Sequence, residues 1–174
     1  MRYLKTWAFL LMFLFILTLP VSAVAEPRRG PLLYNGQEPG YEVKWRITSG
    51  FGSRVHPVYG YRHFHQGIDL VPVNTRRYKA PVVSTTYGTV IFSGYLQARG
   101  YTVIVRGEEG FLHIYQHLYR QSELEPLGEV EPFDLIGGAG STGVSSGIHL
   151  HYEVWCPEDE PVDPLAWLKG IYLD

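Results

Sequence analysis

From Val43 onward the apolar residues mostly alternate with polar ones or run in short blocks cut by glycine, and helical periodicity is nearly absent. Side chains on a strand change face at every residue, so this pattern directs the chain toward sheet and away from helix. Strands are predicted over residues 87–92 and 101–106. Gly107, Glu108, Glu109 and Gly110 read as a turn into a further strand over 111–117, which makes 101–117 a hairpin. Residues 134–136 and 149–155 supply further strands, while 118–124 and 164–168 have room for a helical turn or two. The expected fold is all-β, with no internal repeat and no low-complexity tract.

Period two also predicts which side chains meet. His149 and His151 share one face of their strand, with Leu150, Tyr152 and Val154 on the other. His65, Gly67 and Asp69 share a face, with Ile68 and Leu70 behind them. In the hairpin, Phe111, His113, Tyr115 and His117 are expected to align, with Leu112 and Ile114 opposite. Three segments thus offer metal-competent groups on one face and apolar groups on the other, as in a sheet with one solvated and one packed face.

Those polar groups carry the chemistry. His65-Gln66-Gly67-Ile68-Asp69 and His149-Leu150-His151, with His117 in Tyr115-Gln116-His117-Leu118, hold four of the seven histidines. Imidazole and carboxylate donors are the ligands of a zinc site that keeps one position open for water. Such a metal lowers the pKa of its water and polarises a scissile carbonyl, and unligated histidines nearby take the proton or stabilise the oxyanion. His65, Asp69 and one of His149 or His151 suffice as ligands, and spacing alone does not choose between the last two. Each word is a weak signal by itself. Together, on predicted strands, they point to a metal-dependent hydrolase.

The N-terminus adds an address. Arg2 and Lys5 precede an apolar run over 7–21, and Ala23-Val24-Ala25 gives a small-x-small cleavage pattern before Glu26. Residues 1–25 are therefore expected to be a signal peptide that exports the chain to a periplasm, cell wall or extracellular space. The rival reading, an uncleaved anchor, suffers from a run of only nineteen residues over 7–25 interrupted by Pro20 and Ser22. Residues 26–42 hold Pro27, Gly30, Pro31, Gly36, Pro39 and Gly40 and read as a linker or arm. Residues 43–174 then form one domain. Without Arg2 and Lys5 the formal charge moves from −2 to −4, with 13 basic against 17 acidic residues, which argues against nucleic acid as a partner. Cys156 is the only cysteine, so no intrachain disulfide forms and the fold depends on its core.

The chain from 47 to 155, about 109 of the 149 residues after the expected cleavage site, resembles the lysostaphin-type (LytM-domain) zinc metallo-endopeptidases. The resemblance rests on Ile47-Thr48-Ser49-Gly50-Phe51-Gly52-Ser53-Arg54, His65-Gln66-Gly67-Ile68-Asp69, Tyr115-Gln116-His117-Leu118, Gly140-Ser141-Thr142-Gly143 and His149-Leu150-His151-Tyr152-Glu153-Val154, in family order and at family-like spacing. It implies a single antiparallel β-sheet domain with an open substrate groove over one Zn2+ per chain. It also implies hydrolysis of peptide bonds in the cross-links or bridges of peptidoglycan, and association with the cell wall or envelope. Carried over residue by residue, His65, Asp69 and His151 match the metal ligands, and His117 and His149 match the catalytic pair beside the water. The alternative function is a non-catalytic peptidoglycan-binding scaffold or an activator of another wall hydrolase. A further rival is a zinc hydrolase of an unrelated peptide. Neither the bond cleaved nor the oligomeric state is encoded in these motifs.

Some residues depart from the family pattern or carry two readings. His113 stands where Thr is usual and is expected on the strand surface or against substrate. Phe133 stands where a turn Gly is usual. Tyr59, Tyr61 and His63, within 57–64, line a groove or decorate a turn. Arg54 orients a peptide carboxylate or pairs with a carboxylate at the core edge. Glu153 shares the His151 face and is placed to tune a histidine. Tyr115 and Trp155 are expected to pack. Gly138 to Gly143 match G-x-G-x-x-G, but no helix has room to follow, so the segment is read as a loop forming one groove wall.

Overall fold

The computed structural model describes residues 43–55 and 59–168. The expected signal peptide, the 26–42 arm, Pro57 and the end of the domain after Leu168 lie outside the described residues. The strands are β1 (Trp45–Ser49), β2 (Gly52–Val55), β3 (Arg62–His65), β4 (Gly67–Pro72), β5 (Pro81–Val83), β6 (Gly88–Leu96), β7 (Gly100–Gly107), β8 (Leu112–Leu118), β9 (Glu129–Val130), β10 (Leu135–Gly138), β11 (Leu150–Trp155) and β12 (Pro161–Val162). Eight of them form one antiparallel sheet in the order β1-β4-β11-β8-β7-β6-β9, with β12 on β11. The ribbons β2–β3 and β5–β10 stand apart from it. The all-β expectation holds, and β6, β7, β10 and β11 fall where strands were predicted.

The 101–117 hairpin forms, with a 3-10 turn at Glu108–Gly110. A 3-10 turn also forms at Pro164–Trp167, where Asp163 Oδ1 accepts a hydrogen bond from the Leu165 amide at 3.0 Å. No helical turn forms over 118–124. Leu118 instead ends β8 as a fully buried residue bridged to Ala139, and Ser122 donates to the Ile136 carbonyl at 2.6 Å. Tertiary pairing with the β10 side thus outcompetes a short local helix.

Register places the two faces. β4 pairs His151 with Asp69 and Tyr152 with Ile68, and β8 pairs His151 with Gln116 and Tyr152 with Tyr115. Asp69, His151 and Gln116 therefore stand in one row on one face, and Ile68, Tyr152 and Tyr115 in one row on the other. Leu150, Tyr152, Val154, Ile68 and Leu70 are completely buried, as the alternation predicts. Val90, Val103 and Val105 join them, and Val82, Ile136, Ala80 and Ala139 bring the β5–β10 side into the same core.

The hairpin alternation needs correction. Leu112 and Ile114 lie on the face of His151, and His113 and Tyr115 point into the core. His113 is buried rather than on the strand surface, and it does not line the cleft that holds His117, His149 and His151. Its Nδ1 lies 2.8 Å from the Tyr152 hydroxyl and 3.2 Å from Thr85 Oγ1, which also contacts the Tyr115 and Tyr152 hydroxyls at 2.9 and 2.8 Å. A closed polar network satisfies the buried imidazole, so burial need not leave it unpaired. His117 nevertheless lies with His149 and His151, because the chain takes a left-handed conformation there (φ 59) beside a slip in β7–β8 register. The bulge moves one histidine across the sheet.

Burial pushes the His113 imidazole down to about 4. The native state thus binds this proton less readily than the unfolded chain, whose histidine titrates near about 6.5. The contribution to stability is complete above about 6.5 and is lost as pH falls from there toward about 4, a loss of about 3 kcal/mol over the full interval. The expected result is a fall in stability across that window that is shallower in His113→Thr. Urea unfolding at several pH values reads it, and equal slopes for the two proteins would exclude this origin.

Phe133 occupies its Gly-like position with a left-handed backbone (φ 78) and a half-exposed ring. That conformation costs a side-chain-bearing residue about 1 kcal/mol. Phe133→Gly is expected to stabilise the protein by ~0.5 kcal/mol after the lost ring contacts are set against the relieved strain. A lower unfolding midpoint in the variant would contradict this.

Candidate active site

Three strands and one loop bring the histidine words together. β3 ends at His65 and β4 carries Asp69, β11 carries His151, and His149 precedes β11 in an isolated bridge to Gly140. His65, Asp69 and His151 are all buried and offer ligand atoms within 4.8 Å of one another, a possible metal site. His65 Nε2 lies 3.0 Å from His151 Nδ1 and 3.2 Å from Asp69 Oδ1, and His151 Nδ1 lies 2.8 Å from the same oxygen. Donors at zinc distances of about 2.0–2.1 Å span tetrahedral edges of about 3.3 Å. The observed triangle is close to that size. The Gly between the ligands is required: a Cβ at Gly67 would strike the Tyr152 carbonyl and come within 3.0 Å of His151 Nε2.

The surrounding hydrogen bonds set the tautomers. His65 Nδ1 lies 2.7 Å from the Gly50 carbonyl oxygen, which can only accept, so Nδ1 carries the hydrogen and Nε2 is bare. His151 Nε2 donates to Glu153 Oε1 at 2.9 Å, which leaves Nδ1 bare. With His151 neutral, two imidazole lone pairs and a carboxylate oxygen face one point; a proton on His151 Nδ1 satisfies only its pair with Asp69. Such a cluster repels itself unless a cation enters, and a divalent metal satisfies all three donors where a proton serves one pair. The His151 imidazole expresses the same demand. Burial disfavours its charge, but hydrogen bonds to Asp69 and Glu153 outweigh burial and raise its pKa. Burial likewise opposes ionisation of Asp69, and the bonds to His151 and His65 overcome it and hold the carboxyl well below its usual range.

Glu153 is the hub behind His151. Besides that imidazole it accepts from Gln116 Nε2 at 2.7 Å, Trp155 Nε1 at 2.7 Å and Arg99 Nη1 at 3.0 Å. Burial opposes its charge too, but His151 and Arg99 prevail and bring its pKa down to about 2. The role read for Glu153 from the strand period is thus present in the geometry, and Trp155 serves it as well as packing. Gln116 follows from strand register once β8 and β11 are paired. Arg99 has no sequence signal, since it reaches the site only through the folding of the β6–β7 turn.

The loop after β10 positions the other two imidazoles. His117 Nδ1 donates to the Thr142 carbonyl at 2.7 Å and His149 Nδ1 to the Gly147 carbonyl at 2.8 Å, so each keeps a bare Nε2. The two rings lie 4.9 Å apart, and His149 Nε2 is 3.6 Å from Asp69 Oδ1. Thr142 is locked by its own hydroxyl, which donates to the Leu118 carbonyl at 2.7 Å and accepts from the Tyr101 amide at 3.0 Å. Gly100 (φ 69) makes room, since a Cβ there would strike the Thr142 backbone. The cleft wall here is Val144, Ser145 and Ser146 rather than the G-x-G-x-x-G segment that precedes them; that segment contributes the Thr142 carbonyl that orients His117, and Gly147 beyond it orients His149. Burial, reinforced by the neighbouring His149, lowers His117 to about 4, and burial also lowers His149. Both are neutral at neutral pH and able to accept a proton.

All five groups line one open cleft of about 320 Å³ with Arg54, Tyr59, His63 and Glu153. Tyr61 stacks on Tyr59 at 5.9 Å. The β2–β3 aromatics thus form part of the groove and its rim. Arg54 pairs with Asp69 Oδ2 at 3.1 Å, so the carboxylate it meets belongs to the metal site itself. A second cleft, of about 410 Å³ between Lys79, Tyr119 and Ile136, contains none of these imidazoles.

Known proteins resemble this chain to differing extents. The DD-carboxypeptidase/endopeptidase Mpg of Neisseria meningitidis serogroup B is 38% identical over 125 residues, covering 71% of this chain and 27% of that protein. This chain spans about a quarter of the length of such relatives. A zinc containing peptidase from Vibrio cholerae superposes with a TM-score of 0.62 at 31% identity, over 85% of this chain and 40% of the other. The catalytic domain of lysostaphin from Staphylococcus simulans gives 0.62 at 24% identity, over 72% of this chain and 93% of the other, and shares the fold. Residues 63–164, more than half of the chain and spanning from the β3 end of the groove to the last 3-10 turn, match the Peptidase family M23 profile, and the chain belongs to that family.

Proposed function

We propose that this protein is an exported zinc metallo-endopeptidase that hydrolyses peptide bonds in peptidoglycan cross-links or bridges. The observation that carries the reading is the convergence of three ligand atoms, from His65, Asp69 and His151, within 4.8 Å of one another beside His117 and His149 in one open groove. Membership of a peptidase family and relatives named as endopeptidases support the reaction class. The donor set and the triangle size fit zinc, and the Vibrio cholerae neighbour is a zinc containing peptidase. The N-terminal segment supports export.

When bound, zinc supplies Lewis acidity toward the scissile carbonyl and acidifies water. The chain's own residues do the rest. His65, Asp69 and His151 hold the ion, with Glu153 and the Gly50 carbonyl keeping each imidazole in its ligating tautomer. His117 or His149 accepts at Nε2 the proton of the water whose oxygen attacks the carbonyl carbon. It then returns that proton to the amine nitrogen as the C–N bond breaks. The other imidazole steadies the developing oxyanion. The Thr142 and Gly147 carbonyls hold both rings with Nε2 free for this work. A scaffold that only docks on the wall has no use for two histidines held in this way.

Digestion of purified sacculi by the zinc-loaded protein, with and without a chelator and read by mass spectrometry, tests the proposal. Cross-linked muropeptides should give way to products with new amine and carboxyl ends, and the chelator should stop this reversibly. Undigested cross-links, or digestion indifferent to the chelator, would refute it.

A further inference from the structure

Arg54 has more donors than its known contact uses. It lies on β2 opposite His63 and forms part of the cleft wall. Its Nη2 reaches Asp69 Oδ2 at 3.1 Å while the side chain stays 23% exposed. Nε of the same guanidinium is buried and has no hydrogen-bond partner among the described residues. A guanidinium presents five N–H donors in a planar fork that matches a carboxylate. The pairing with Asp69 engages Nη2 alone, so the exposed part of the fork keeps donors for a ligand in the cleft.

The charges in the cleft point the same way. Its two lining carboxylates are each matched by an arginine, Asp69 by Arg54 and Glu153 by Arg99. A divalent cation added to these two matched pairs therefore leaves the groove with uncompensated positive charge. A substrate anion is favoured there, and a carboxylate is the anion a guanidinium binds with two parallel hydrogen bonds.

Position limits which carboxylate it is. Asp69 offers Oδ1 to the metal donors and Oδ2 to Arg54, so the guanidinium stands one carboxylate width from the reacting centre. We propose that Arg54 reads a free carboxylate on the substrate residue flanking the scissile amide. The enzyme then selects cross-linked peptides that carry this group over those in which it is amidated, and over bridges made only of glycine. The inference rests on the peptidoglycan-peptidase reading above and names the substrate class of that site.

The test uses two cross-linked muropeptides that differ only in a free or amidated carboxylate beside the scissile bond. Both are assayed with zinc-loaded wild type, Arg54→Gln and Arg54→Lys, and metal content is measured for each protein. Wild type should favour the free carboxylate by about tenfold in kcat/KM, chiefly through KM. Arg54→Gln should bring the ratio to about one, and Arg54→Lys should fall between, since it keeps the charge and loses the fork. Equal kcat/KM for the pair in wild type overturns the inference, as does an unchanged ratio in an Arg54→Gln protein that retains metal. If Arg54→Gln loses metal, Arg54→Lys decides, and a ratio unchanged from wild type in that variant overturns the inference. Cleavage of neither peptide by wild type overturns the peptidase reading itself, a result distinct from equal cleavage of both.

Discussion

Asp69→Ala and His151→Ala are each expected to lose the bound metal and at least about 1,000-fold in turnover of cross-linked muropeptides. Each removes one of three donors that meet within 3.2 Å, and two donors do not make a closed site. Asp69→Ala also leaves Arg54 without its counter-charge. Glu153→Ala should be milder, with metal affinity down about 10–100-fold, because it frees His151 to rotate without removing a donor. Metal analysis after dialysis, beside the turnover assay, separates the three. The core face is untouched by Asp69→Ala and His151→Ala, so far-ultraviolet circular dichroism should stay that of the parent. A stoichiometric metal ion in folded Asp69→Ala or His151→Ala would exclude the assigned centre.

His117→Ala and His149→Ala should keep the metal and lose about 100- to 10,000-fold in kcat, with KM little changed. Neither side chain is needed to close the donor triangle, and both present a neutral Nε2 to the same cleft. The double variant should fall little below the worse single variant, because the two rings serve one proton transfer and one oxyanion. This pair also separates the enzyme from its main rival. A wall-docked scaffold or activator would keep its cellular function in both variants, so full wall turnover with either histidine removed would favour that rival.

Much of the site was legible because its spacing is local. His149 and His151 are two apart at the start of one strand, so period two places them on one face, and the four-residue spacing of His65 and Asp69 keeps that pair close although β3 ends at His65 and β4 begins at Gly67. The buried reverse face, Ile68, Leu70, Leu150, Tyr152 and Val154, was legible for the same reason. The hairpin misled because alternation assumes an unbroken strand. His117 crosses the sheet on a left-handed residue, and a polar His113 finds its partners in the core rather than in solvent. A helical turn after Leu118 failed because pairing with the β10 side buried that residue better than a local turn would.

The chain's own pattern determined the all-β class, the faces of β4 and β11, and the candidate donors, since each depends on side-chain direction over a few residues. Tertiary structure decided which nitrogen of His65 and His117 is bare, because the Gly50 and Thr142 carbonyls come from other segments, whereas Gly147 and Glu153 stand two residues from the histidines they hold. It also decided that Arg54 and Arg99 match the two cleft carboxylates. Hydrogen-bond direction and charge compensation are properties of groups in contact, and these contacts span up to 54 residues between Arg99 and Glu153, beyond the reach of any local period.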